Sequence, residues 1–263
     1  MADIDLNNIE AERPRKIHLE WVFPTLFKPA ATFKTIGEQE RSVWLTPLLL
    51  LSLLAIIFTL MSAPARIQAA QAQINMATPP DNFQWWSEEQ QQQWYESQSN
   101  KIGPMFIYVF PALGELAGVW IPWLLLGSIL NIALTLNGSR GNGTLLFNLT
   151  GWSMLPLAVR YVVRAVAVLI SGQVIQSPGL SGLVTADGGG FMTFLQPFLA
   201  HIDVYVIWML VLLIVGVLHV SGLPRGKAIA AVAVSILLVL ALQALPGFIG
   251  ARLSGLSTSG IYF

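Results

Sequence analysis

Five apolar runs separated by polar stretches set the pattern of this chain. They fall at residues 43–63, 105–136, 146–171, 198–220 and 228–249. Each is long enough to cross a bilayer, whose ~30 Å of hydrocarbon takes about twenty helical residues. The second run exceeds that length: either Pro111 and Pro122 kink it, or its first turn lies in the interface. The third carries Arg160 and Arg164, four residues apart and so on one helical face. A charged side chain at the bilayer centre costs about 3 kcal/mol or more, so this face must meet protein or water. Pro156 stands one turn before Arg160 and predicts a local break that frees a carbonyl near Leu155 or Trp152.

The polar stretches have characters of their own. Residues 1–20 carry Asp3, Asp5, Glu10, Glu12, Arg13, Arg15 and Lys16, and read as a disordered cytoplasmic tail. Residues 21–42 mix Trp21, Phe23, Phe27 and Phe33 with Lys28, Lys34 and Arg41, and Pro24 and Pro29 cut them into short pieces. That mixture predicts an amphipathic interfacial segment, with rings at headgroup depth and cations toward phosphates. Residues 64–104 form an outer loop in which Trp85, Trp86, Trp94 and Tyr95 surround a glutamine run. A polar helix dipping aromatics into the interface is expected there. The loop at 173–197 has no Lys or Arg and contains Asp187 followed by three glycines, which predicts mobility. Residues 251–263 are left as a short extracytoplasmic tail.

Composition agrees with the pattern. Of 263 residues, 54% are hydrophobic and 11% charged, against about a quarter charged in soluble domains. Mean hydropathy is +0.63. The expected class is an all-α membrane protein: five transmembrane helices in a domain spanning residues 43–250, preceded by the interfacial segment. Zero net charge gives no signature for nucleic acid. The absence of cysteine excludes disulfides, thiolate metal sites and cysteine nucleophiles. No signal peptide is visible at the N-terminus.

Basic residues orient the chain. Arg13, Arg15, Lys16, Lys28, Lys34, Arg41, Arg140, Arg225 and Lys227 fall on one side of a five-span chain; Arg66, Lys101 and Arg252 fall on the other. The positive-inside rule then puts the N-terminus in the cytoplasm and the C-terminus outside the cell membrane. Sequons at Asn137, Asn142 and Asn148 fall on the cytoplasmic side or against a span, and are not read as glycosylation sites.

With this topology, Glu115, Arg160, Arg164, His201, Asp203 and Gln243 come to similar depth in the outer half of the bundle. Such a cluster is either an ion-pair network that fixes packing or a substrate or proton path; pairing of Glu115 with Arg160 is the first expectation. Gly114 and Gly118 invite close helix contact, within the chain or between copies. No metalloprotease, serine-hydrolase or nucleotide-binding motif is present, and His18, His201 and His219 are too scattered to share an ion. No catalytic residue, cofactor or metal is expected.

Four stretches carry a resemblance: VFPTLFKPAATFKTI before the first span, GNGTLLFNLTGWSMLP, DVYVIWMLVLLIVGV, and the turn SGLPRGKA into the last span. In this order and spacing they resemble the Yip family, the Ypt/Rab-interacting membrane proteins, in its prokaryotic branch. The resemblance implies a five-span helical domain with a cytosolic N-terminus. Eukaryotic members act in vesicle transport and bind prenylated Rab GTPases and one another. This chain departs from them in its long Trp/Gln-rich outer loop and in a short tail whose acids are Asp3, Asp5, Glu10 and Glu12.

Two functions follow as expectations. The first is a non-catalytic scaffold or adaptor in membrane organisation or trafficking. Its partners are the lipid bilayer, further copies of the chain, and a membrane or cytoplasmic protein such as a GTPase. The alternative is a permease-type subunit working with a separate ATPase, with the polar cluster as its path. An embedded enzyme with Glu115 and Asp203 as acid and base ranks third, for want of a nucleophile or metal cluster.

Overall fold

A computed structural model describes residues 17–139, 142–175, 177–184 and 190–258, with side chains as far as Arg252. Asp3, Asp5, Glu10, Glu12, Arg13, Arg15 and Lys16 of the tail, Arg140 and Asp187 lie outside the described residues. The chain is an all-α membrane protein; no strand occurs among the described residues.

Two short helices, α1 (Val22–Phe27) and α2 (Pro29–Gly37), come first. Pro29 opens α2, where its missing N–H costs nothing. Helix α3 runs over Leu45–Met76, α4 over Glu88–Asn100 and α5 over Phe110–Leu136. The third apolar run is two helices, α6 (Gly143–Ser153) and α7 (Pro156–Ser171). The fourth is also two, α8 (Phe191–Ala200) and α9 (Val204–Val220). Helix α10 covers Arg225–Thr258. Four stretches are long and apolar enough to cross a membrane, or five if α8 and α9, bent by 72°, make one span.

The break at Pro156 follows from its missing N–H. The Trp152 carbonyl loses its helical donor and takes the Leu155 N–H instead, at 3.3 Å. The break before α9 has another cause. Asp203 adopts extended backbone and its Oδ1 accepts the Val206 N–H at 2.9 Å, capping the new helix. The fourth apolar run is therefore not one straight helix from residue 198.

Other elements also differ from the sequence expectation. Pro64 does not end the first span: α3 continues twelve residues beyond it, to Met76. Inside 64–104 the expected polar helix is α4, started by a capping box in which Ser87 and Gln90 satisfy each other's backbone N–H. Phe83, Trp86, Trp94 and Tyr95 pack on one another around its start, at centroid distances of 5.1–5.7 Å, while Trp85 stays exposed. In the loop after α7, the part expected to be mobile is held where it is described. The Leu180 N–H donates to the carbonyls of both Leu199 and Ile202 at 3.0 Å, covering the α8–α9 break.

Helix α3 packs on α5 and α7, α5 packs on α6 and α10, and α9 touches α2, α6, α7 and α10. Trp152, Leu48, Leu51, Leu130, Leu149 and Leu212 are fully buried between them. The lipid-facing rows are apolar and exposed, as Leu53, Leu60, Leu113, Leu124, Val166 and Leu237 show. Phe33 and Ile36 of α2 are wholly buried, so α2 is part of the bundle. Phe33 was expected at the membrane interface; it lies in the core, against Gly216 of α9.

Candidate functional site

Prolines and glycines hollow out the bundle next to the arginine helix. A cavity of about 730 Å³ lies among α3, α5, α7, α9 and α10. All six residues of the expected polar cluster line it: Glu115, Arg160, Arg164, His201, Asp203 and Gln243. Arg66 and Tyr161 line it too.

The pairing differs from the expectation. Arg160 does not pair with Glu115; its Nη1 lies 3.3 Å from Asp203 Oδ2. Arg164 is the partner of Glu115, with Nη2 3.5 Å from Oε1. The Tyr161 hydroxyl donates to the second Glu115 oxygen at 3.0 Å. Asp203 thus serves two elements, one oxygen capping α9 and the other holding α7. The guanidinium of Arg164 also rests over the Phe58 ring, 4.3 Å from its centroid, an arrangement that favours a cation in a dry site. The Nε atoms of Arg160 and Arg164 are buried and meet no acceptor among the described residues.

Backbone carbonyls also accept from side chains that line the cavity. Pro111 cannot donate to the Ile107 carbonyl one turn back, and a π-helical turn at Met105–Val109 precedes it. Arg66 Nη1 approaches that carbonyl at 3.5 Å. The His201 Nε2–H donates to the Gln243 carbonyl of α10 at 3.2 Å. Gly114 and Gly118 do not mark close helix contact within the chain. A Cβ on either would meet nothing within 4 Å, because both face the cavity.

The sequence pointed to neither Arg66 nor Tyr161. Arg66 was placed in the outer loop because Pro64 looked like a helix end. Tyr161 had a signal: it sits beside Arg160 and one turn before Arg164, so it shares their side of the helix.

The interface set is divided. Trp21 is half-buried; Phe23, Phe27, Lys28, Lys34 and Arg41 are exposed, and Phe33 is not. Among the described residues no group of His, Asp and Glu is arranged to hold a metal ion.

No curated protein and no solved structure matches this chain. The model of the Yip1 domain matches residues 23–245, most of the sequence. The match takes in α1 and α2 as well as the bundle that encloses the cavity, and the chain belongs to the Yip1 domain family.

Proposed function

We propose that this Yip1-domain membrane protein is a non-catalytic scaffold or adaptor of the cell membrane. The observation that carries this reading is the way α1 and α2 are mounted. One side of them, Thr25, Thr32, Phe33 and Ile36, is buried against the bundle. The other side presents Phe23 and Phe27, each 72% exposed, beside exposed Lys28 and Lys34. A rigidly held shelf of aromatic and basic groups suits anionic lipid and a protein docked at the headgroup level. Helix entropy is already spent when a partner arrives, which favours binding.

The test is native purification in mild detergent, with mass spectrometry of what co-purifies near one-to-one. The variants are Phe23→Ser, Phe27→Ser and Lys28→Glu, all exposed and so compatible with the fold. A cytoplasmic or membrane protein partner recovered with the native chain and lost from the triple variant is the expected result. Recovery unchanged by all three substitutions would remove the shelf from the proposal. Deleting residues 1–36 is a poorer experiment, since it strips Phe33 and Ile36 from the core.

The cavity favours a second reading, a permease-type subunit that works with an ATPase. Its support is a polar, proline-broken path of the kind that lines transport sites. Co-purification of an ATPase, and solute flux in proteoliposomes lost on Arg160→Gln, would be expected of it. Flux indifferent to that substitution would dismiss the path.

A further inference from the structure

The cavity has a direction, and that direction identifies what fits it. On α5, Glu115 lines one end and Leu126 the other. On α7, Arg160 and Arg164 lie beyond Leu157. On α9, Asp203 precedes Met209; on α10, Gln243 follows Ile236. Successive spans run in opposite senses, so the four pairs sort the same way. Polar groups gather at one end and apolar side chains at the other. The separations along the helices are seven to eleven residues on α5 and α10, about 10–16 Å.

Charge sharpens the picture. Among the described lining residues, three guanidinium groups face two carboxylates. The carboxylates are occupied: Asp203 by the α9 cap and Arg160, Glu115 by Tyr161 and Arg164. The arginines keep donors beyond these pairings. Each carries five N–H donors, and the Nε–H groups of Arg160 and Arg164 are buried without an acceptor. A buried donor left without an acceptor is unfavourable, so an incoming oxyanion would be welcome there. The site is short of anionic oxygen by about one charge. It is also reachable, because Arg160 and Arg164 keep 21% and 29% of their side-chain surface exposed. Gly114 and Gly118 keep the wall open where a side chain would have filled it.

We infer that the cavity is a binding site for a phosphate-bearing anionic lipid. The phosphodiester oxyanion lies against Arg160 and Arg164, and the beginning of an acyl chain runs down the apolar end toward the bilayer middle. Arginine is suited to this because its planar donor fork matches phosphate oxygens. The volume is within the range of sites for small amphiphilic ligands. Free phosphate would satisfy the same donors and leave the apolar end empty; the experiment separates the two sources.

The full chain, purified in a non-ionic detergent and stripped of lipid, is titrated by native mass spectrometry and by thermal unfolding. The probes are dioleoylphosphatidylglycerol, dioleoylphosphatidylcholine and inorganic phosphate. Expected are one tightly retained phosphatidylglycerol, at least tenfold weaker retention of phosphatidylcholine, and no stabilisation by phosphate at millimolar concentration. Gly118→Leu, which fills the cavity from a position free of clash, is expected to weaken phosphatidylglycerol binding at least tenfold while the protein elutes as the native species. Arg164→Gln is expected to narrow the preference for the anionic lipid. Equal retention of both lipids, phosphatidylglycerol binding unchanged by Gly118→Leu, or stabilisation by phosphate alone equal to that by lipid would each overturn the proposal. Because no partner protein is present, these outcomes stand apart from the fate of the scaffold reading.

Discussion

Asn148 shows how much one buried amide can decide. It is wholly buried on α6. Its Oδ1 accepts the Val43 N–H and its Nδ2 donates to the Arg41 carbonyl, both at 2.8 Å. Trp152 Nε1 donates to the Val43 carbonyl from one turn further on, at 3.0 Å. These bonds pin the strand of chain that leads from the α1–α2 shelf into α3. Asn148→Ala leaves two backbone groups without their partner, at about 1–3 kcal/mol for each that is buried. A lowered thermal midpoint in detergent, several degrees below the native protein, is the expected outcome; an unchanged midpoint would mean that water replaces the amide. The third sequon is thus a structural clamp. The ion pairs make a second residue-scale test. A double-mutant cycle on Glu115→Gln and Arg164→Gln should show coupling of about 0.5–3 kcal/mol. The cycle on Glu115→Gln and Arg160→Gln should show less, and the reverse order would contradict the observed pairing. Asp203→Asn should keep the α9 cap, while Asp203→Ala should lose about a further 1 kcal/mol. The sequence showed that two arginines on one face needed acceptors at one depth, because helical spacing fixes depth. It did not show which carboxylate serves which arginine. That depends on how each helix is rotated against its neighbours, and Tyr161 takes part of Glu115 for itself.

At the scale of elements, glycines that look alike along α5 act differently. A Cβ at Gly127 would stand 2.5 Å from the Phe147 ring of α6. A Cβ at Gly118 would meet nothing. Gly127→Ala is therefore expected to cost about 1–3 kcal/mol through overpacking, and Gly118→Ala almost nothing; equal thermal midpoints for the two would refute the packing described. Gly179 belongs with Gly127. Its φ is +59°, and an added Cβ would stand within 2.8 Å of the carbonyl oxygens of Leu199, Ala200 and Ile202, so the position admits no side chain. The apolar, membrane-length stretches were legible in the sequence, and so was the break at Pro156. The helix end placed at Pro64 was not correct, because a single proline removes one hydrogen bond and a packed membrane helix can absorb that loss. The start of α9 did have a signal, an Asp directly before an apolar run. Inside so long a hydrophobic stretch, that Asp looked like an intramembrane charge instead of a cap.

On the scale of the whole molecule, the ends of the bundle carry unequal charge, and contacts between distant turns say which turns share an end. Ser139 Oγ, after α5, donates to the Ser221 carbonyl, after α9, at 2.9 Å. A Cβ on Gly37, at the end of α2, would stand 3.1 Å from Val220. The shelf, the α5–α6 turn and the α9–α10 turn therefore lie together. With them lie Lys28, Lys34, Arg41, Arg225 and Lys227. The positive-inside rule predicts that this end faces the cytoplasm, with α4 on the other side. The chain has no cysteine, so single introduced cysteines report without background. Thr35→Cys, Gly226→Cys and Tyr95→Cys are all at exposed positions. In intact cells an impermeant maleimide is expected to label Tyr95→Cys alone, and the other two only after permeabilisation. Labelling of Gly226→Cys from outside while Thr35→Cys stays protected would contradict the shared end that these contacts describe. Labelling of Thr35→Cys from outside would invert the whole molecule and turn the cavity's polar end toward the cytoplasm, so that the lipid it selects would come from the inner leaflet.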